Sequence, residues 1–202
     1  AVLTDSASSF TPAEAEAMNV TMLPITVIFG DQEYLENVTI TAPEFYRRLH
    51  DEEQLPTTAQ ITMHQMQEAF DQLSAAGYDE VICINLSSGI TTFYENLCAY
   101  APTVTNIKVY PFDTKIASAG EADLVRYAAY LVEQGEHAAE ILPKLADLRQ
   151  TIGLDFIVDN LSHLLRTGRI SNTSALIGNL LQVKPMLTFD EAGKIIVDGK
   201  ER

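Results

Sequence analysis

The chain has 202 residues, of which 47% are hydrophobic, and this is enough apolar side chain to build a globular core. The net charge is −15, because 28 acidic residues outnumber 13 lysines and arginines, so a nucleic-acid partner and docking onto anionic lipid are both disfavoured. No apolar run reaches the roughly 18 residues that cross a bilayer, and stable membrane insertion is therefore not expected.

Three helices are marked by capping boxes. Thr11 precedes Pro12 and Glu14, and the same pattern recurs at Thr41 and Thr62. The helix after Thr62 is expected to end at Gly77. Apolar spacing predicts further helices over 91–100, 121–134 and 138–151.

Strands are predicted between these helices. Short apolar runs place them at 1–4, 24–29, 81–86 and 108–111. The polar turn at 31–34 predicts a hairpin, which adds an antiparallel ribbon. The alternation of strands and helices predicts an α/β fold, with a parallel sheet and helices on both of its faces. We assign this N-terminal lobe to residues 1–152.

The pattern changes after Thr151, and residues 153–202 are interpreted as the start of a second α/β lobe, cut short at Arg202. A turn is expected at 190–193. The elements predicted here are strands over 154–158, 184–189 and 194–197 and helices over 161–165 and 174–181.

Short motifs bear on the compartment and on cofactors. The first residues carry no basic leader ahead of an apolar stretch, so we expect a cytoplasmic protein. Cys83 and Cys98 lie in apolar patterns typical of buried, reduced thiols. Neither a spacing typical of metal ligands nor a glycine motif for nucleotide phosphates occurs, so no metal and no cofactor are expected.

Polar clusters directly follow three apolar runs. Ligands of open α/β sheets bind at the carboxyl ends of strands, so these clusters are candidates for a binding site. Hydroxyls and one guanidinium without an acid–base pair suit the binding of a small anionic head group better than bond cleavage. The clusters are Pro56-Thr57-Thr58-Ala59-Gln60, Ser87-Ser88-Gly89 and Thr167-Gly168-Arg169-Ile170-Ser171.

Each cluster offers donors to a carboxylate. Thr57 and Thr58 carry paired hydroxyls, although these could instead bond nearby backbone. Ser87-Ser88-Gly89 is expected to open the helix that begins near Thr91, with hydroxyls and free backbone N–H groups forming an anion site. Arg169, beside a glycine, can bond both carboxylate oxygens at once.

Two further positions are candidates for supporting roles. Asp5 and Ser6 end the first strand and either form a turn or support the binding loop. Lys115, in Asp113-Thr114-Lys115, follows the strand over 108–111. It either adds a polar group at the carboxyl ends of the strands or is part of a salt-bridged turn.

A serine-dependent hydrolase using Ser87 or Ser88 is the alternative from a different class. No G-x-S-x-G motif surrounds either serine, and no pattern marks a histidine as the base. The sequence carries four histidines, His50, His64, His137 and His163. We assign no catalytic residue.

In this order, the clusters resemble the DegV family of fatty-acid-binding proteins. The resemblance covers essentially the whole chain. The matching stretches are Thr4-Asp5-Ser6, Pro56-Thr57-Thr58 with Gln60, Ser87-Ser88-Gly89, Asp113-Thr114-Lys115, Gly168-Arg169-Ile170-Ser171 and Lys184-Pro185.

The resemblance implies a two-lobed α/β protein that encloses one long-chain fatty acid, with the acyl chain in an apolar tunnel. Thr58 and Ser88 would contact the carboxylate, Thr57, Ser87 and Gly89 would shape the site, and Arg169 would balance charge or face a partner. Relatives act as the lipid-presenting subunit of a fatty acid kinase, whose separate ATP-binding subunit phosphorylates the acid for phospholipid synthesis. The chain would then be a carrier and not itself an enzyme, or a lipid-sensing regulatory module.

Overall fold

The computed structural model describes residues 1–51, 54–170 and 184–198. The helices in these ranges are α1 (Pro12–Ala17), α2 (Ala42–Asp51), α3 (Met63–Ala75), α4 (Phe93–Tyr100), α5 (Ser118–Glu133), α6 (Ala138–Arg149) and α7 (Ser162–Arg166). The strands are β1 (Val2–Asp5), β2 (Val20–Leu23), β3 (Thr26–Phe29), β4 (Gln32–Leu35), β5 (Thr57–Ala59), β6 (Glu80–Asn85), β7 (Lys108–Asp113), β8 (Leu187–Phe189) and β9 (Ile195–Val197). Ser171 and the helix predicted over 174–181 lie outside the described residues.

The central sheet is parallel, with strand order β2-β1-β6-β7. Alternate side chains of β1 and β6 point to opposite faces, so the sheet has two cores. Val2 and Ile84 pack against α5 and α6 on one face. Leu3 and Cys83 pack against α3 and α4 on the other. The predicted α/β sheet with helices on both faces is confirmed.

The predicted helix starts follow from local hydrogen bonds. The Thr11 hydroxyl accepts the Glu14 N–H at 3.2 Å, and the Glu14 carboxylate accepts the Thr11 N–H at 2.8 Å. Thr62 and Gln65 form the same reciprocal pair ahead of α3. Each box satisfies backbone donors that a helix leaves free at its first turn.

A second, antiparallel sheet has the order β4-β3-β5. The hairpin between β3 and β4 is confirmed, and Gly30 adopts a φ of 58° at its turn. The stretch Thr57–Ala59 forms the edge strand β5, where the sequence indicated a loop; Thr58 pairs with Val27. Helix α2 packs on this sheet through Phe45, whose ring centroid lies 5.6 Å from that of Phe29.

Two further strand predictions were wrong. β2 was missed, because Pro24 separates it from β3 and the sequence was interpreted as one strand over 24–29. The strand predicted over 154–158 is only a bridge in which Phe156 and Leu187 exchange backbone hydrogen bonds of 2.9 and 2.8 Å.

The predicted strands at 184–189 and 194–197 form the β8–β9 hairpin around the expected turn. Together with α7, this hairpin has its own apolar cluster, which includes Leu161, Ile170, Leu187 and Ile195. The division into lobes at residue 152 stays a prediction. None of the helices in the described ranges has both the length and the apolar composition needed to cross a membrane.

Candidate functional site

The strand order creates a crevice at the carboxyl end of the sheet. From β1 the chain passes through α1 to β2 on one side, and from β6 it passes through α4 to β7 on the other. α1 and α4 pack on opposite faces of the sheet. The loops after β1 and β6 therefore diverge, and such a topological switch point is where α/β sheets bind ligands. Asp5 ends β1 here, and Ser87 and Ser88 follow β6.

A cavity of about 500 Å³ lies at this point, and we call it the switch-point cavity. Thr58 of β5, Ser88 and Gly89 after β6, and Arg169 after α7 all line it, and Asp5 lies at its base. The three polar clusters are therefore brought together from positions far apart in the chain. The cavity also includes Gln60, which the sequence analysis quoted but gave no role.

Ser88 is held by the carboxylate of Asp113, the last residue of β7. Its backbone N–H donates to Asp113 Oδ1 at 3.0 Å, and its hydroxyl donates to Oδ2 at 2.6 Å. The Lys115 N–H also donates to Oδ1 at 3.0 Å. A hydrogen bond to a carboxylate contributes about 1.5–3 kcal/mol. The Ser88 hydroxyl therefore keeps its hydrogen directed at the Asp113 carboxylate.

Ser87 and Gly89 shape the turn from within. The Ser87 side chain is fully buried; its hydroxyl donates to the Gly193 carbonyl at 2.7 Å and accepts the Gly89 N–H at 3.1 Å. A Cβ on Gly89 would lie 2.1 Å from the Gly193 oxygen. The turn of the β8–β9 hairpin therefore packs directly against the Ser87-Ser88-Gly89 turn.

The expectation of free backbone N–H groups in this turn was wrong. The N–H of Ser88 bonds Asp113, that of Gly89 bonds the Ser87 hydroxyl, and those of Ile90 and Thr91 bond the Ser87 carbonyl. The helix also begins two residues later than predicted, at Phe93, because the turn is closed on itself first. The anion site expected at a helix N-terminus is therefore absent from 88–91.

Thr58 and Arg169 keep donors for a ligand. The Thr58 side chain is exposed, and its hydroxyl makes no hydrogen bond within the described ranges. The Arg169 guanidinium uses Nη1 for the Thr167 carbonyl at 2.8 Å and leaves its other N–H groups uncommitted among those residues. Gly168, at a φ of 68°, provides the left-handed turn that aims Arg169 at the cavity.

A second cavity, of about 660 Å³, adjoins the first; we call it the apolar cavity. Thr58 lines both cavities, and Thr57 lines only this one. Most of the other side chains in its wall are apolar and come from β3, α2, the segment before β5 and the segment before α7. They include Val27, Phe45, Leu49, Leu55, Ile157 and Val158.

Three of the side chains in this wall are unusually open to solvent, among them Tyr46, which is 66% exposed. Leu55 is 39% exposed and Ile157 is 59% exposed. Exposed apolar side chains gathered around one concavity are typical of a binding groove.

Asp5 and Ser6 support the cavity from beneath. Asp5 accepts the N–H groups of Ala7 and Leu86, each at 2.9 Å, and the Asn85 amide at 3.2 Å. Ser6 accepts the Ile25 N–H at 2.9 Å and donates to Glu36 at 2.6 Å. These contacts fit the expected supporting role at the end of β1.

A second carboxyl lies behind Asp5. Glu121 is fully buried, and the Thr4 hydroxyl donates to its Oε1 at 3.3 Å. Its Oε2 has no hydrogen-bond partner among the described residues. Burial raises the pKa of both carboxyls, that of Glu121 well above its usual value, with the nearby Asp5 charge as a further cause. The three N–H donors favour the ionised form of Asp5 and so oppose the effect of burial on its pKa, whereas the Asp5 charge raises the pKa of Glu121 further.

Lys115 does not line the switch-point cavity. It faces a separate cavity of about 540 Å³ together with Arg149, and its Nζ donates to the Glu191 carbonyl at 3.1 Å. The structure thus gives Lys115 the role of a contact to the β8–β9 turn.

None of the four histidines, all within the described ranges, contacts Ser87 or Ser88. His50, His64 and His137 are paired with surface carboxylates, and their side chains are 90%, 83% and 74% exposed. His163 lies beside the apolar cavity, with Nε2 3.3 Å from the Pro56 carbonyl. Within residues 1–51, 54–170 and 184–198, no three His, Cys, Asp or Glu side chains are grouped so that they could hold a metal ion.

Asp113 is the site residue that the sequence analysis undervalued, since it was quoted only as part of Asp113-Thr114-Lys115 and was given no role of its own. A usable signal existed, because β7 follows β6 in a parallel sheet and its last residue must lie beside the end of β6. In the structure, Asn85 at the end of β6 pairs with Asp113 at the end of β7.

Comparison with known proteins identifies the family of the chain. The family model described as "Uncharacterised protein, DegV family" matches residues 1–202. A DegV domain-containing protein of Halalkalibacterium halodurans is 35% identical over 196 residues, which cover 97% of this chain and 69% of that protein. The chain belongs to the DegV family, and the resemblance found in the sequence is confirmed.

Solved structures show what related proteins bind. The crystal structure of DegV from Bacillus subtilis, a fatty acid binding protein, superposes with a TM-score of 0.90 at 36% identity, covering 100% of this chain and 71% of that one. A fatty acid binding DegV family protein from Streptococcus agalactiae gives a TM-score of 0.88 at 33% identity, with 98% and 70% covered. These structural neighbours bind fatty acids.

Proposed function

We propose that the chain binds one long-chain fatty acid, with the carboxyl group in the switch-point cavity and the acyl chain along the apolar cavity. The observation that carries the proposal is the position of Thr58, which lines both cavities. A molecule with a polar head and an apolar tail can therefore contact Thr58 at the point where its two parts meet.

The apolar cavity supplies the free energy. Each methylene moved out of water contributes about 0.8 kcal/mol, so a palmitoyl-sized tail gains roughly 10 kcal/mol. Association costs of about 4–15 kcal/mol offset much of this gain. The ligand would also cover the side chains of Leu55 and Ile157, which are exposed to solvent in its absence.

The polar groups fix the orientation of the acid. The Thr58 hydroxyl and the Arg169 guanidinium have N–H or O–H groups for the carboxyl oxygens, and Ser88 lies across the same cavity. A buried carboxyl without such partners would cost several kcal/mol. Gln60 accepts from Thr91 at 3.2 Å and adds an amide donor at the rim.

We further propose that the bound acid is presented to a separate ATP-dependent kinase, which forms the acyl phosphate. The exposure of Arg169 beside the cavity supports this role, because a partner could reach both the carboxyl and this guanidinium. We place this activity in the cytoplasm, where Cys83 and Cys98, both free thiols, stay reduced.

Native mass spectrometry of the chain expressed in bacteria tests binding. We expect an added mass equal to one fatty acid, lost when the protein is delipidated and regained with palmitate. Phosphoryl transfer is tested separately, by adding a bacterial extract and ATP to the loaded protein and following acyl phosphate as hydroxamate. An apo mass that palmitate leaves unchanged would refute binding, whereas retained palmitate without ATP-dependent hydroxamate would refute only the kinase role and favour lipid sensing.

The geometry gives no support to the serine hydrolase. The hydroxyls of Ser87 and Ser88 donate to Gly193 and Asp113, and no imidazole is positioned to take either proton. Labelling by a fluorophosphonate probe that Ser88→Ala abolishes would reinstate it.

A further inference from the structure

The protonation state of the bound acid can be inferred from the hydrogen bonds of Ser88. A serine hydroxyl has one hydrogen, and that of Ser88 donates to Asp113 Oδ2 at 2.6 Å. Asp113 is fixed as the acceptor, because its other oxygen already takes the N–H groups of Ser88 and Lys115. Towards the cavity, Ser88 Oγ therefore offers lone pairs and no hydrogen. An ionised carboxylate has only lone pairs as well, so the two would repel.

The surrounding backbone does not compensate. The N–H groups of Ser88, Gly89, Ile90 and Thr91 are all used inside the turn or by Asp113. Among the described residues that line the cavity, uncommitted donors include the Thr58 and Thr92 hydroxyls and the remaining N–H groups of Arg169. One carboxyl oxygen can thus accept from Thr58, while the oxygen that meets Ser88 needs a hydrogen of its own.

The charges around the cavity point the same way. The charged residues that line it are Asp5, which is buried, and Arg169, which is exposed and so weakly effective. Arg149 is engaged by the Asp113 carbonyl at 2.6 Å and faces the separate cavity with Lys115. The titratable and charged groups that face Asp113 or the cavity are Asp5 on β1, Tyr94 on α4, Lys115 after β7, Glu121 on α5, Arg149 on α6 and Arg169 after α7.

We propose that the switch-point cavity binds the fatty acid un-ionised, with the carboxyl O–H donating to Ser88 Oγ and Asp113 fixing Ser88 as the acceptor. This inference rests on the proposed function and adds to it that one proton is bound together with the acid. Asp113 acts through Ser88 and is a positioning residue.

Linkage makes the proposal measurable. Where the free acid is ionised and the bound acid is not, affinity falls about tenfold for each unit of pH increase. A fatty alcohol carries the same donor and does not ionise, so its affinity should be independent of pH. A pH dependence that comes from the protein's own groups would appear in the affinity for the alcohol as well. Comparing the two ligands therefore separates titration of the protein from titration of the acid.

The experiment measures the affinity of dodecanoic acid and dodecanol by calorimetry between about pH 5.5 and 8.5. Dodecanoic acid labelled with ¹³C at its carboxyl is followed by NMR in parallel. We expect the tenfold slope for the acid, a flat profile for the alcohol, and a bound carboxyl shift at neutral pH that matches the un-ionised acid.

Two variants identify the groups responsible. In Asp113→Asn the amide oxygen can keep both backbone bonds while the amide nitrogen donates to Ser88, which frees the Ser88 hydrogen for a carboxylate; the slope should flatten and affinity at high pH should rise. Ser88→Ala removes the acceptor, so the slope should flatten and affinity at low pH should fall roughly five- to tenfold. If Asp113 acted only through its charge, Ser88→Ala would leave the slope unchanged.

The outcomes separate this inference from the proposed function. Tight binding of dodecanoic acid with a flat pH profile, or a bound carboxyl signal of the ionised form, overturns the inference and leaves fatty-acid binding intact. No binding of either ligand at any pH overturns the proposed function itself. A slope that persists unchanged in both variants shows that Ser88 and Asp113 are not its origin, and this too overturns the inference.

Discussion

Replacing Gly89 by alanine tests whether the two turns at the site hold each other in place. The new Cβ would lie 2.1 Å from the Gly193 oxygen, 2.3 Å from its carbonyl carbon and 2.6 Å from the Lys194 nitrogen. All three are backbone atoms, so no side chain can rotate away. The β8–β9 hairpin must move, and the buried Ser87 hydroxyl then loses its acceptor at 2.7 Å.

The cost can be bounded from these two effects. Overpacking costs about 1–3 kcal/mol, and an unsatisfied buried hydroxyl adds about 1–3 kcal/mol. A loss of roughly 2–6 kcal/mol corresponds to a fall in Tm on the order of 5–20 °C for a chain of this size. Urea unfolding and a thermal melt measure it, and affinity for dodecanoic acid should fall because Ser88 moves with the turn.

Gly153→Ala is the matched control, since nothing lies within 4 Å of the position of its Cβ. We expect the free energy of unfolding of this variant to lie within about 0.5 kcal/mol of the wild-type value, or slightly above it. If Gly89→Ala and Gly153→Ala shift the unfolding free energy equally, the close approach of the two turns is not present in solution and the reasoning fails.

Three further outcomes are expected. Thr58→Val should weaken dodecanoic acid binding about three- to tenfold in calorimetry by removing one hydroxyl, while Thr21→Val on β2, away from both cavities, should not; equal affinities would contradict a head-group role for Thr58. Ile157→Asp should lower affinity more than tenfold by placing a charge in the apolar cavity, whereas Val38→Asp, with a similar exposure of 60% against 59%, should leave it unchanged. Burial raises the pKa of Glu121, so the contribution of this carboxyl to the free energy of unfolding is full below about pH 4.5 and declines as pH rises. Glu121→Gln should flatten this decline in urea titrations between about pH 5 and 8. If the dependence of the unfolding free energy on pH is the same in the variant, Glu121 is not its source.

The helix starts and the buried strand could be predicted from the sequence because their causes are local. Thr11 and Thr62 each bond an N–H three residues away, so the motif and the structure contain the same information. β6 has five consecutive buried residues, and the first four, Val81 to Ile84, are an unbroken apolar run in the sequence. The order of the polar clusters also sufficed to recognise the family, since it does not depend on their arrangement in space.

Strand pairing decided what the clusters do, and no local pattern encodes it. Thr58 reaches the site because β5 pairs with β3, and Asp113 reaches Ser88 because β7 lies beside β6. The Ser87 hydroxyl bonds a carbonyl 106 residues away, so neither its burial nor the need for glycine at position 89 follows from neighbouring residues.

The sequence by itself predicted the hydroxyls and the arginine that the structure brings to one cavity. The tertiary structure alone decided the direction of the Ser88 hydrogen, because a hydroxyl donates to whichever acceptor the fold brings nearest. That direction turns an expected donor into an acceptor, and the chemistry of the site depends on it.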